Sequence, residues 1–117
     1  MSNEIKYKGK ELHLKNKILT FEYDVRNVGV LSDRVVVLLG IPENVDNITD
    51  NIYSFSLEGD FLWKSQNISE KYPNLENLLP YEQMSYYSGK IHASDFLGRN
   101  FAINPTDGKI VDFSISK

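Results

Sequence analysis

The side chains able to do acid-base or metal chemistry in this sequence are few and scattered. His13 and His92 are its two histidines, and imidazole is the side chain whose charge changes nearest neutral pH. Joined by a carboxylate such as Asp95 or Glu22, such a pair would move protons or bind a metal ion. Neither histidine sits at ligand spacing, so both read as surface or hydrogen-bonded structural residues, and no catalytic residue, metal or cofactor is assigned. Glu43, Asp46 and Asp50 put three carboxylates in one loop. The loop lacks the alternating oxygen ligands and closing bidentate glutamate of a calcium site, and reads as a solvated acidic segment. Cysteine is absent, which removes thiol catalysis and Cys-type zinc sites. There is no nucleophile-elbow serine and no phosphate-cradling glycine loop.

What remains is contact chemistry. Tyr72, Tyr81, Tyr86 and Tyr87 cluster around Pro73 and Pro80, in a stretch with no cation between Lys71 and Lys90. Tyrosine offers large amphipathic area at low entropy cost, which favours it in contact surfaces. Trp63, at the end of an apolar strand, reads instead as a core anchor whose ring N–H meets a carbonyl. The net charge of −3 over 117 residues argues against a broad nucleic-acid surface, which would need many lysines and arginines to neutralise phosphates. Residues 1–17 hold five lysines against Glu4 and Glu11, a net +3, which leaves −6 for the rest of the chain. Lysines two apart on an edge strand discourage sheet-to-sheet pairing. The N-terminus has no apolar leader, and the longest apolar run, Val35 to Leu39, is far too short to span a bilayer. The expectation is a cytoplasmic protein whose partner is another protein, basic in character, and neither nucleic acid nor membrane.

The elements that must position these residues are strands. Asn51 to Lys64, NIYSFSLEGDFLWK, alternates Tyr53, Phe55 and Leu57 on one face with Ser54 and Ser56 on the other, then returns through Glu58-Gly59 into an apolar strand ending at Trp63. Ile5 to Lys8 and Glu11 to Leu14 flank Gly9-Lys10 as a small edge hairpin. Ile18 to Tyr23 and Val25 to Leu31 follow as half-buried strands, with Gly29 marking a bulge or a close backbone approach. Arg34 to Ile41, RVVVLLGI, is apolar on both faces and reads as the central strand. Ser65 to Glu82, broken by Pro73 and Pro80, reads as a connector with one helical turn around Leu75, Leu78 and Leu79. Strands resume at Ser85 to Ser88, Lys90 to Asp95, Arg99 to Ile103 and Lys109 to Ser116, the last two joined by the turn Asn104-Pro105-Thr106-Asp107-Gly108.

The two halves can be laid over each other. Ser32 to Val37 corresponds to Ser88 to Ala93, Asn51 to Phe55 to Arg99 to Ile103, and Gly59 to Phe61 to Gly108 to Ile110. On these residues NIYSFSLEGDFLWK and RNFAINPTDGKIVDF resemble the outer hairpins of β-propeller blades of the quinoprotein-like kind. The resemblance implies two blade-like units, too few to close a ring that needs about four or more, and it carries over no cofactor residue. The whole chain also resembles small uncharacterised bacterial proteins, some of them in toxin-immunity gene neighbourhoods, which implies an immunity-protein-like role and no catalytic residue.

The expected fold is all-β in a single domain, residues 1–117: an N-terminal hairpin (1–17), a first β unit (18–64), an irregular connector (65–83) and a second β unit (84–117), each unit antiparallel and four-stranded. The units form either one twisted sheet or two sheets packed face to face, with homodimerisation through edge strands as a consequence of open edges. Two functions follow. One is a non-catalytic protein-binding module, such as a toxin-immunity-type inhibitor, with Glu43, Asp46, Asp50, Tyr72, Tyr81, Tyr86 and Tyr87 as its contact residues. The other is a small-molecule-binding or enzymatic module with a site near His92 and Asp95. The acidic loop Pro42 to Asp50 and the connector Tyr72 to Tyr87 depart from the repeated scaffold, and scaffold-borne loops are where specific contacts are usually carried.

Overall fold

The computed structural model describes residues 5–115, and the fold is all-β with three antiparallel sheets, none closed into a barrel. Strands β1 (Lys6–Lys8), β2 (Glu11–His13) and β3 (Ile18–Thr20) form a three-stranded sheet. Next come β4 (Val25–Val30), β5 (Arg34–Leu39), β6 (Ile52–Ser56) and β7 (Phe61–Lys64), a four-stranded meander. After a short helix α1 (Ile68–Lys71), β8 (Gln83–Tyr87), β9 (Lys90–Ser94), β10 (Arg99–Ile103) and β11 (Ile110–Ile115) form a second meander.

The middle sheet is covered on both faces, which is why β5 is apolar throughout. Alternate side chains of a strand point to opposite faces. Val35, Val37 and Leu39 pack with Leu12, Leu14 and Phe55 beneath the N-terminal sheet, while Val36 and Leu38 pack with Ile91, Ala93, Phe101 and Ile103 of the C-terminal sheet. The result is three stacked layers. Trp63 anchors the second core as its sequence position suggests: it is buried, and its indole Nε1 donates to the Pro105 carbonyl at 2.8 Å.

Several local expectations are corrected. Strand β3 pairs with β2, so the N-terminal hairpin grows into a sheet and the first meander begins at Val25 instead of Ile18. The helical turn forms at Ile68–Lys71, where the Asn67 side chain accepts from the Ser69 N–H as N-cap, and not around Leu75 to Leu79. That capping contact gives an acceptor to one of the unpaired donors of a helix start, whereas Leu78 and Leu79 lie in a segment without regular secondary structure ahead of Pro80. The bulge in β4 falls at Arg26, between Val25 and Asn27, and not at Gly29. The end of the last strand at Ser116 lies outside the described residues. The two four-stranded sheets stack face to face and do not merge into one sheet.

Candidate functional site

The two irregular segments converge. The Pro42 to Asp50 loop and the end of the connector line one groove of about 390 Å³, whose walls include Ile41, Pro42, Val45, Leu78, Leu79 and Pro80, with Glu43, Asp46, Glu82 and Arg26 among its charged residues and Phe96 at one side. Each wall has a local cause. Pro42 ends the strand extension after β5, because proline lacks the N–H a sheet ladder needs. The connector is fastened by Asn51, buried at the start of β6: its Nδ2 donates to the Leu39 and Tyr81 carbonyls at 2.8 and 2.9 Å, and its Oδ1 accepts from the Tyr81 N–H at 2.9 Å. Because these groups are buried, losing any one would leave a partner unpaired. The β4 bulge leaves Arg26 without a cross-strand partner residue and re-aims it, so that its guanidinium lies over Gly40 and pairs with Glu82 at 2.9 Å.

The remaining wall is the turn between β9 and β10. Asp95 and Arg99 form an ion pair with Oδ2 and Nε 2.6 Å apart, their side chains 0% and 8% exposed. The other oxygen, Oδ1, accepts from the Leu97 and Arg99 N–H groups at 2.9 and 3.0 Å. The Arg99 guanidinium also donates to the Glu76 and Asn77 carbonyls, tying connector to turn. Both carboxylate oxygens and all three guanidinium nitrogens of this pair are thus engaged, as a buried charge requires. The turn it holds presents Phe96, 85% exposed, and Leu97, 55% exposed.

A sequence model for a domain of unknown function, DUF7957, matches residues 2–115. The chain belongs to the DUF7957 family. No curated protein matches it.

Of the contact residues expected in this DUF7957 chain, Glu43 and Asp46 line the groove. Asp50 does not: it pairs with Lys64 at 3.5 Å, and although burial opposes the lysine charge, Asp50 and Tyr53 hold its ammonium above the usual range. The tyrosines do not form one surface. Tyr81, at 1% exposure, is core and cannot touch a partner. Its ring meets Phe101 edge-on at 5.6 Å, and its backbone is held by the Asn51 side chain. Tyr72 is half-buried against Phe101 and Phe113. Tyr86 and Tyr87 are exposed near the end of β8 but, as neighbours in a strand, face opposite sides.

The histidine site does not assemble around Asp95. His92 stacks on Tyr87, with rings 3.7 Å apart and 8° from parallel, and a ring nitrogen lies 3.2 Å from the Tyr87 carbonyl. Asp95 is spent on Arg99, and His13 bonds Glu11 at 2.9 Å. The outer face of the C-terminal sheet does hold a shallow groove of about 360 Å³ with His92 and Asp112. These two flank Ala102 in register, their backbones two strand spacings or about 9–10 Å apart. Among the described residues no cluster of three or more His, Asp or Glu is placed to hold a metal ion, and no helix is long and apolar enough to cross a membrane.

Phe96, Leu97 and Arg26 escaped the reading of the sequence. Phe96 and Leu97 carried a signal nonetheless: Asp95-Phe96-Leu97-Gly98 sets two large apolar residues in a turn, where polar residues belong unless function dictates otherwise. Arg26 had none, since a bulge in β4 shows only in the strand register.

Proposed function

We propose that this protein is a non-catalytic protein-binding module, of the kind an immunity-type inhibitor of a toxin represents, and that it engages its partner through the groove between the Pro42 to Asp50 loop and the connector. One observation carries this reading: the two segments that depart from the sheets meet and build a single concave surface. Carboxylates at its rim would steer a basic partner and raise the association rate, while apolar walls supply area to bury. The stacked sheets beneath give the loops a rigid base.

Affinity capture from the native host with the wild-type chain and with a Glu43→Ala/Asp46→Ala/Phe96→Ala variant tests it. The expected result is a protein retained by the wild type and released by the variant, at equal melting temperatures. The same proteins retained by both, or none retained by either, overturns it.

A further inference from the structure

We infer that the groove takes a linear, basic segment of another protein, with an apolar side chain of that segment lying against Phe96 and its Lys or Arg residues facing Glu43 and Asp46. This rests on the protein-binding reading and names the partner's chemistry.

Charge selects the partner. The charged residues of the groove are Glu43, Asp46, Glu82 and Arg26, and Arg26 is occupied by Glu82. Glu43 and Asp46 enter no ion pair among the described residues, so both are available to an incoming cation. Outside the basic residues 1–17, a second copy of this chain carries −6, and like charges facing each other across an interface weaken it. A nucleic acid or an anionic membrane surface is repelled for the same reason.

The Phe96 turn supplies the anchor. A phenyl ring left 85% exposed keeps most of its apolar surface in water, and this one stands beside apolar groove walls that a bound chain would cover together with it. The turn is also fixed in advance. A buried ion pair adds little net stability, because desolvation offsets the attraction. What Asp95 and Arg99 do is hold the turn backbone from both sides and pin it to the Glu76 and Asn77 carbonyls. An anchor already held in its bound geometry loses little freedom on binding. The volume, about 390 Å³, suits a few side chains of an extended or helical segment.

Random linear peptides displayed as a library and selected on the full chain at low ionic strength test the inference. Recovered peptides are then titrated against the wild type, Phe96→Ala and a Glu43→Gln/Asp46→Gln variant, with melting temperatures as control; Phe96→Gln replaces the alanine variant should alanine alter the fold. The expected peptides carry Lys or Arg within a few positions of a large apolar residue. They bind Phe96→Ala roughly thirtyfold more weakly and the charge variant about tenfold more weakly, mostly through slower association. Recovery of no peptide, of neutral or acidic peptides, or of basic peptides that bind all the proteins equally overturns the inference. So does a concentration-dependent dimer that Phe96→Ala abolishes, which would assign the surface to a second copy. A host partner released by the groove variant but bound through a segment without cations sinks this inference and leaves the protein-binding reading standing.

Discussion

Tyr81 carries the one buried side-chain polar atom without a hydrogen-bond partner among the described residues, its phenolic oxygen. Burial first, then the Asp50, Asp95 and Tyr72 charges, push this phenol well above its ordinary range. In the unfolded chain a tyrosine titrates near pH 10. The folded group resists ionising, so above that pH the unfolded state loses its proton first. The stability linked to Tyr81 is therefore complete below about pH 10 and falls above it, by up to about 1.4 kcal/mol per pH unit. Tyr81→Phe removes the unpaired hydroxyl and the alkaline loss together. We expect the variant to match or exceed the wild type at neutral pH, by up to about 2 kcal/mol, and the gap to widen above about pH 10. Urea titrations across that range check it, and a clear loss at neutral pH would mean that the hydroxyl has a partner.

At the scale of elements, the turn joining β10 to β11 shows how one residue locks two sheets. Gly108 has φ +77, and a Cβ there would lie 2.5 Å from Cε3 of Trp63, whose own indole is held by Pro105 in the same turn. Gly108→Ala therefore combines an unfavourable backbone conformation with a clash against a buried ring, at a cost of about 2–4 kcal/mol. Gly89 has φ +74 in the β8–β9 turn with open space around it, so Gly89→Ala should cost only about 1–2 kcal/mol. Denaturation midpoints of the two variants make the comparison, and equal losses would show that Trp63 yields. Gly108 was readable as a turn glycine from Asn104-Pro105-Thr106-Asp107-Gly108. Its press against Trp63, 45 positions earlier in the numbering, was not.

The whole molecule is a stack in which β5 is the shared wall. Val36 faces the C-terminal sheet and Val37 the N-terminal sheet, both about fully buried. Truncating either to alanine should cost about 2–3 kcal/mol, whereas Val30→Ala, at an exposed site on the edge strand β4, should cost well under about 1 kcal/mol. Calorimetry or denaturant unfolding of the three variants tests the layering: a cheap Val37→Ala would mean that the N-terminal sheet adds little cover. The same stack fixes the groove, since the loop after β5, the connector and the β9–β10 turn reach a common end only when the sheets are superposed.

Sequence alone determined the all-β class, both four-stranded meanders, the doubly covered β5 and the anchoring role of Trp63. Each of these rests on period-two alternation, β-branched runs or glycine in turns, signals that act over a few neighbouring residues. It also marked Pro42 to Asp50 as an acidic departure from the scaffold. Tertiary structure decided the rest. Four tyrosines near one another in the chain were separated into core, half-buried and exposed positions by the docking of the connector, because burial depends on which layer covers a face and not on residue type. Asp50 went to Lys64 and Asp95 to Arg99, since ion pairing follows distance in space. Strand β3 joined the N-terminal hairpin by pairing, which local alternation leaves open, and the bulge that turns Arg26 toward Glu82 exists only in the register between β4 and β5. The groove depends on all of these long-range contacts, which is why its parts were legible in the sequence and their meeting was not.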